Sequence, residues 1–168
     1  MKGRLTIRTA GVFFWLSAVL EVLSIRIDVP ILGALRGGLV GGAYHLAFAA
    51  IFATVGLGLW TGARWGARVV YMATAVYSLD RFRYALDRAG REAELLGQLA
   101  DHPEILEAFG VDLLLQVGAL MALLFVACWW GFAAYIYVRR AYFTSAASGG
   151  GSTPMEARAR GPEAGSGG

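Results

Sequence analysis

Apolar residues along this chain gather into long uninterrupted runs, not the short alternations of a soluble helix or strand. Positions 37–63 contain no Asp, Glu, Lys or Arg, and neither do positions 113–138, where Arg139 and Arg140 close the run. Each run exceeds the stretch of about 18 residues that reads as a helix crossing a hydrocarbon core. Two further segments are less uniform. Positions 9–25, between Arg8 and Arg26, are apolar except for Glu21 and two serines. Positions 69–79 are apolar until Asp80, Arg81 and Arg83 interrupt them. A helix ending at Leu79 would stop roughly half way across the bilayer, so the pattern predicts that it carries these charges on to about Leu86. The expected fold is therefore an all-α integral membrane protein. Its domain, residues 1–143, is a four-transmembrane-helix bundle with helices near 9–26, 39–61, 66–88 and 112–138.

Two regions lie outside those helices. In the connection 87–112, Leu86, Ala89, Ala93, Leu96 and Ala100 recur at helical spacing, and Asp87/Arg91 and Arg88/Glu92 are i,i+4 pairs. This predicts that the third helix projects beyond the bilayer to about Leu99. A short amphipathic helical turn at 104–109 follows the Asp101-His102-Pro103 corner. Positions 144–168 are rich in Gly, Ser and Ala and have no apolar face, which predicts a disordered cytoplasmic tail. The first 20 residues have the basic start and apolar run of a signal peptide. No small-x-small cleavage site precedes Glu21, so an uncleaved helix is expected.

Composition agrees with the pattern: 57% of the 168 residues are hydrophobic and 16% charged, with a mean hydropathy of +0.56. A soluble domain averages about 25% charged. The net charge of +3 is too small and scattered for a nucleic-acid footprint. Lys2, Arg4, Arg8, Arg64, Arg68, Arg139 and Arg140 fall at one set of helix ends. Once Arg81 and Arg83 are counted inside the membrane, that set outweighs the other. Both termini are thus expected in the cytoplasm of a multi-pass protein of the cell (inner) membrane. Trp60, Trp65, Trp129 and Trp130 fall near the same face, as half of an aromatic belt.

Candidate chemistry sits in one layer. Glu21 lies roughly 18 Å into its helix and Asp80 at a similar depth, while His45 and Gln116 approach from the other side. With Arg81 and Arg83 they place a polar side chain from every helix in the outer half of the bilayer. Buried charges cost a few kcal/mol each unless paired or facing a cavity. One reading is an outward-open site in which Glu21 and Asp80 exchange protons and Arg81 or Arg83 holds an anion. The other is structural, with Glu21 paired to Arg81 or Arg83 and Asp80 to Arg83. His45 is expected to hydrogen-bond Glu21 or a backbone carbonyl. Small residues Ala43, Ala47, Ala50, Thr54 and Gly58 form a stripe expected to pack against neighbouring helices. Gly41, His45, Ala49 and Gly56 lie on a neighbouring face. Cys128, the single cysteine, reads as an inert packing residue.

No Walker loop, GxSxG or HExxH is present, and no metal site or catalytic residue is expected. Lipid, or a pigment ligated by His45, is the cofactor left open. The segment Leu16-Ser17-Ala18-Val19-Leu20-Glu21-Val22 resembles the first helix of small multidrug-resistance transporters. That resemblance covers about a dozen residues and implies one role, Glu21 as a proton- and substrate-binding carboxylate. The charged connection, Asp80-Arg81-Phe82-Arg83 and the long tail depart from the family pattern. Two functions are compatible with these features: a non-catalytic accessory subunit or assembly factor, bound to other membrane subunits or a second copy of itself, and a small proton-coupled transporter using Glu21, Asp80 and Arg81.

Overall fold

The computed structural model describes residues 3–145, and helices make up 81% of it, which fixes the all-α class despite two short strands. Four long helices are present: α1 (Arg4–Leu23), α2 (Gly38–Thr61), α3 (Gly66–Leu86) and, after two shorter ones, α6 (Val111–Val138). Of these, α1, α2 and α6 are long and apolar enough to cross a membrane. α3 is of similar length but carries Arg68, Asp80, Arg81 and Arg83. Helices are the natural solution for such runs, since they satisfy their own backbone groups without water.

The contacts show how the long helices run. Gly11 meets Gly56 at one end of the α1–α2 pair and Glu21 meets His45 at the other, so the two are antiparallel. Gly58 against Gly66 and Tyr44 against Asp80 establish the same for α2 and α3. Ser78 with Trp130, and Val70 in one cluster with Ala133 and Ile136, place α6 antiparallel to α3. The basal half, around Ile7, Val55, Leu59, Val70, Ala133 and Ile136, is a dry apolar core. Above it Trp129 packs against Phe14 (ring centroids 5.1 Å) and stacks on Tyr77 (5.1 Å). Trp129 is thus drawn into the bundle, not left in a surface belt.

The opposite end carries features the hydrophobic pattern did not reveal. Between α1 and α2, β1 (Val29–Ile31) and β2 (Ala34–Arg36) form an antiparallel hairpin in which Ile31 pairs with Ala34. Its two-residue turn, Leu32-Gly33, has φ of 52° and 78°, the all-positive geometry of a type I′ turn. Glycine adopts this freely; leucine does not, and Leu32 projects into open surroundings. α4 (Arg88–Gln98) lies on both strands, and α5 (Pro103–Phe109) leads into α6.

The expected continuous extension of the third helix is not found. α3 stops at Leu86, Asp87 turns out of helical geometry (φ −84°, ψ 77°), and a separate α4 begins. The carboxylate of Asp87 accepts the N–H of Gly33 at 2.7 Å and that of Gly90 at 2.9 Å, capping α4 and fastening the hairpin turn to it. Neither expected i,i+4 pair forms: Arg88 reaches Asp112 at 2.6 Å, and Arg91 donates to the Leu115 carbonyl at 2.5 Å. The expected 144–168 tail lies outside the described residues, apart from 144–145, which end α7 (Ala141–Ser145).

The N–H groups of Gly33 and then Gly90 hold the Asp87 carboxyl below the usual carboxylate range. Its stabilising contribution is therefore present above the unfolded carboxylate pKa of about 4 and is lost as pH falls through the lower folded value. Amide exchange, corrected for its intrinsic pH dependence, should show Gly33 and Gly90 losing protection in acid. Asp87→Ala should remove that acid step and cost roughly 0.5–2 kcal/mol at neutral pH, as loss of a helix cap does. Protection unchanged by Asp87→Ala would show that the hairpin is held by other contacts.

Candidate functional site

Five of the six polar residues singled out in the sequence come together where the four long helices meet the hairpin. Glu21 stands in the last turn of α1, His45 in the second turn of α2, and Asp80, Arg81 and Arg83 near the end of α3. Gln116 does not join them. It is exposed on α6, while its neighbour Leu115 turns inward and offers a carbonyl to Arg91.

The pairing matches the expectation in part: Asp80 meets Arg83, and His45 meets both Glu21 and a backbone carbonyl, but neither arginine takes Glu21. Asp80, with a side chain 10% exposed, binds Arg81 at 2.7 Å through one oxygen and Arg83 at 3.2 Å through the other. The Tyr44 hydroxyl donates to Asp80 Oδ2 at 2.9 Å and accepts from Arg81 Nη2 at 3.1 Å. Arg83 Nη1 donates to the Pro30 carbonyl at 3.1 Å, tying α3 to the hairpin. The Arg81 guanidinium is flanked by the rings of Tyr77 and Tyr84, 5.2 and 5.4 Å away, a cation–π sandwich that compensates its removal from water. Tyr44 and Tyr84 therefore belong to the site. The period-matched face Tyr77–Asp80–Tyr84 on α3 was the available signal for Tyr84, whereas Tyr44 had none beyond adjacency to His45.

Glu21 pairs with neither arginine. Its Oε2 lies 2.7 Å from His45 Nδ1, and His45 Nε2 lies 3.1 Å from the Ile27 carbonyl. A carbonyl can only accept, so Nε2 carries a proton. Glu21 and His45 thus form one hydrogen-bonded unit, which the Ile27 carbonyl orients. Both ring nitrogens are engaged, so a pigment metal would have to displace one of these bonds. Among the described residues, no three His, Cys, Asp or Glu side chains gather as a metal-binding group.

These groups border a cleft of about 360 Å³, within the range of small-molecule sites. Glu21, His45, Arg81 and Arg83 line its polar side, and Gly118, Met121, Ala122 and Phe125 of α6 form an apolar wall. Glu94 also lines the cleft and accepts from the Tyr84 hydroxyl at 3.0 Å and from Gln98 at 3.2 Å.

The small-residue stripe is corrected. Ala43, Ala47, Ala50 and Thr54 are exposed on α2; of that set Gly58 is buried. The packed face is the adjacent one, with Gly41, His45, Ala49 and Gly56 buried beside Phe48, Phe52 and Val55. Cys128 is exposed on α6, not packed. Compared with protein-family models, curated proteins and solved structures, the chain matches none.

Proposed function

We propose that this protein is a non-catalytic accessory or assembly subunit of a membrane complex, spanning the bilayer four times with α3 as the fourth helix. The observation carrying this reading is that Asp80, Arg81 and Arg83 bind one another, Tyr44 and the hairpin. Asp80 is held by two guanidiniums and a tyrosine hydroxyl, and Arg83 ties the helix end to the hairpin. Such a network fixes one arrangement of the hairpin and α4 at the end of the bundle, as a docking cap requires. A membrane-spanning α3 is supported by that same charge compensation and by its outward residues, Met72, Val76 and Leu79, which are apolar and exposed. Cytoplasmic termini, with the hairpin, α4 and α5 outside, are supported by the basic basal end. Arg81, Arg83 and Arg91 at the other end turn their charge into the bundle.

A second reading, a small proton-coupled transporter, is favoured by one observation: the hydrogen-bonded Glu21 and His45 side chains border the cleft. One pair of measurements separates the two. Affinity purification in mild detergent with quantitative mass spectrometry should recover stoichiometric membrane partners. Proteoliposomes of the isolated protein, under an imposed pH gradient and read by an internal pH dye, should show the same proton uptake for wild type and Glu21→Gln. A partner-free protein whose proton flux is abolished by Glu21→Gln would replace the first reading with the second.

A further inference from the structure

We propose that the cleft between α3, α6 and the hairpin is a binding site for a singly charged anionic amphiphile, its head on Arg81 and Arg83 and its chain along α6. This goes beyond the subunit reading and does not depend on it.

The polar end has unused donors. A guanidinium offers five N–H bonds. Arg81 engages Nε and Nη2, with Asp80 and Tyr44, and Arg83 engages one N–H on each terminal nitrogen. That leaves Arg81 Nη1 and Arg83 Nε without a protein partner among the described residues, beside a cleft both side chains line. Both guanidiniums share the single carboxylate of Asp80, so neither has a carboxylate to itself. A carboxylate or phosphate accepting from both arginines fits these donors. Glu94, which lines the cleft without a cationic partner among the described residues, disfavours a second negative charge on the head.

The apolar end selects the tail that the head carries. Met121 and Phe125 are 44% and 49% exposed, so the wall continues onto the side of α6 rather than closing into a sealed pocket. An alkyl chain can lie along it and leave the protein laterally, as no soluble anion would need to. Gly118 is the telling residue. It lines the cleft, and a Cβ built there meets nothing within 4 Å. Helix packing therefore leaves this position free, and a large side chain here would enter the groove.

The test uses the full chain in phosphatidylcholine nanodiscs and a 16-carbon pyrene fatty acid as probe, read by energy transfer from Trp129 and Trp130 on the same helix. Wild type should show saturable transfer. Gly118→Leu should weaken probe binding by about tenfold or more while leaving thermal unfolding unchanged, because the new side chain enters empty space. Arg81→Gln should weaken it by about tenfold, the scale of one lost charge-assisted hydrogen bond, and Arg83→Gln serves if Arg81→Gln does not fold. Displacement by oleate identifies a free fatty acid as the source of the head, displacement by phosphatidylglycerol a phospholipid, and displacement by both the shared chemistry. Non-saturable transfer, displacement by inorganic phosphate alone, or an unchanged affinity in folded Gly118→Leu would each overturn the proposal.

Discussion

Asp80→Ala should destabilise the protein by about 3–5 kcal/mol, the usual consequence of removing one partner from a buried ion pair. The reason lies in what remains. Arg81 and Arg83 point at a common carboxylate from the same helix, at 2.7 and 3.2 Å, and without it two guanidiniums face each other with no counter-charge. The Tyr44 hydroxyl loses its acceptor in the same step. Asp80→Asn should cost less, since the amide oxygen still accepts one donor. A second change discriminates further. Adding Arg83→Met to Asp80→Ala removes one stranded cation and should recover part of the loss, whereas two independent defects would add. Equilibrium unfolding in mixed micelles measures all four proteins. An Asp80→Ala loss below about 1 kcal/mol would mean that water in the cleft, not Asp80, solvates the arginines.

The sequence pointed to Asp80 with Arg83 and to His45 with Glu21, but not to Asp80 with both arginines at once or to Tyr44, and the reason is physical. Depth along a helix comes from counting residues, and five of the six polar positions did converge. Azimuth does not, because it depends on which face each helix turns inward. Residue spacing left Glu21 with an arginine or His45 as partner, and the packing of α1 on α2, with Gly11 against Gly56, brings it to His45. Gln116 shows the same limit: its depth suited the layer, but its side chain lies on the outer face of α6. The hairpin escaped notice because its strands are three residues each and its turn is Leu-Gly, without the usual Asn-Gly or Asp-Gly signal. The break at Asp87 was hidden by a helical apolar pattern that runs through it unbroken. Its long-range acceptor role, toward Gly33, belongs to tertiary structure.

The choice of face on α2 matters most for stability. Two small-residue stripes run along this helix, and size alone does not say which meets a neighbour. Burial favours the Gly41–His45–Ala49–Gly56 face, with Gly58 the buried member of the other stripe, and the closest approaches are at Gly56 and Gly58. A Cβ on Gly56 would lie 2.6 Å from the Trp15 ring and 2.9 Å from the Gly11 carbonyl oxygen, and one on Gly58 would lie 2.7 Å from the Cα of Gly66. The contact is reciprocal, since a Cβ on Gly66 would meet the Gly58 oxygen at 2.7 Å. In lipid an apolar side chain gains little by moving from hydrocarbon to protein, so close backbone packing carries much of the association between helices. Neither partner at this crossing has a flexible side-chain tip that can swing away; α2 and α3 must move apart as bodies. Gly58→Leu should therefore cost about 3 kcal/mol, the upper end of typical overpacking losses, and Gly66→Ala about 1–3 kcal/mol. Gly131→Ala on α6, where an added Cβ meets nothing, should be neutral or slightly stabilising through helix propensity. Thermal unfolding in detergent compares the three. Equal effects at Gly58 and Gly131 would show that the α2–α3 crossing yields to a side chain and that backbone proximity does not hold the bundle together.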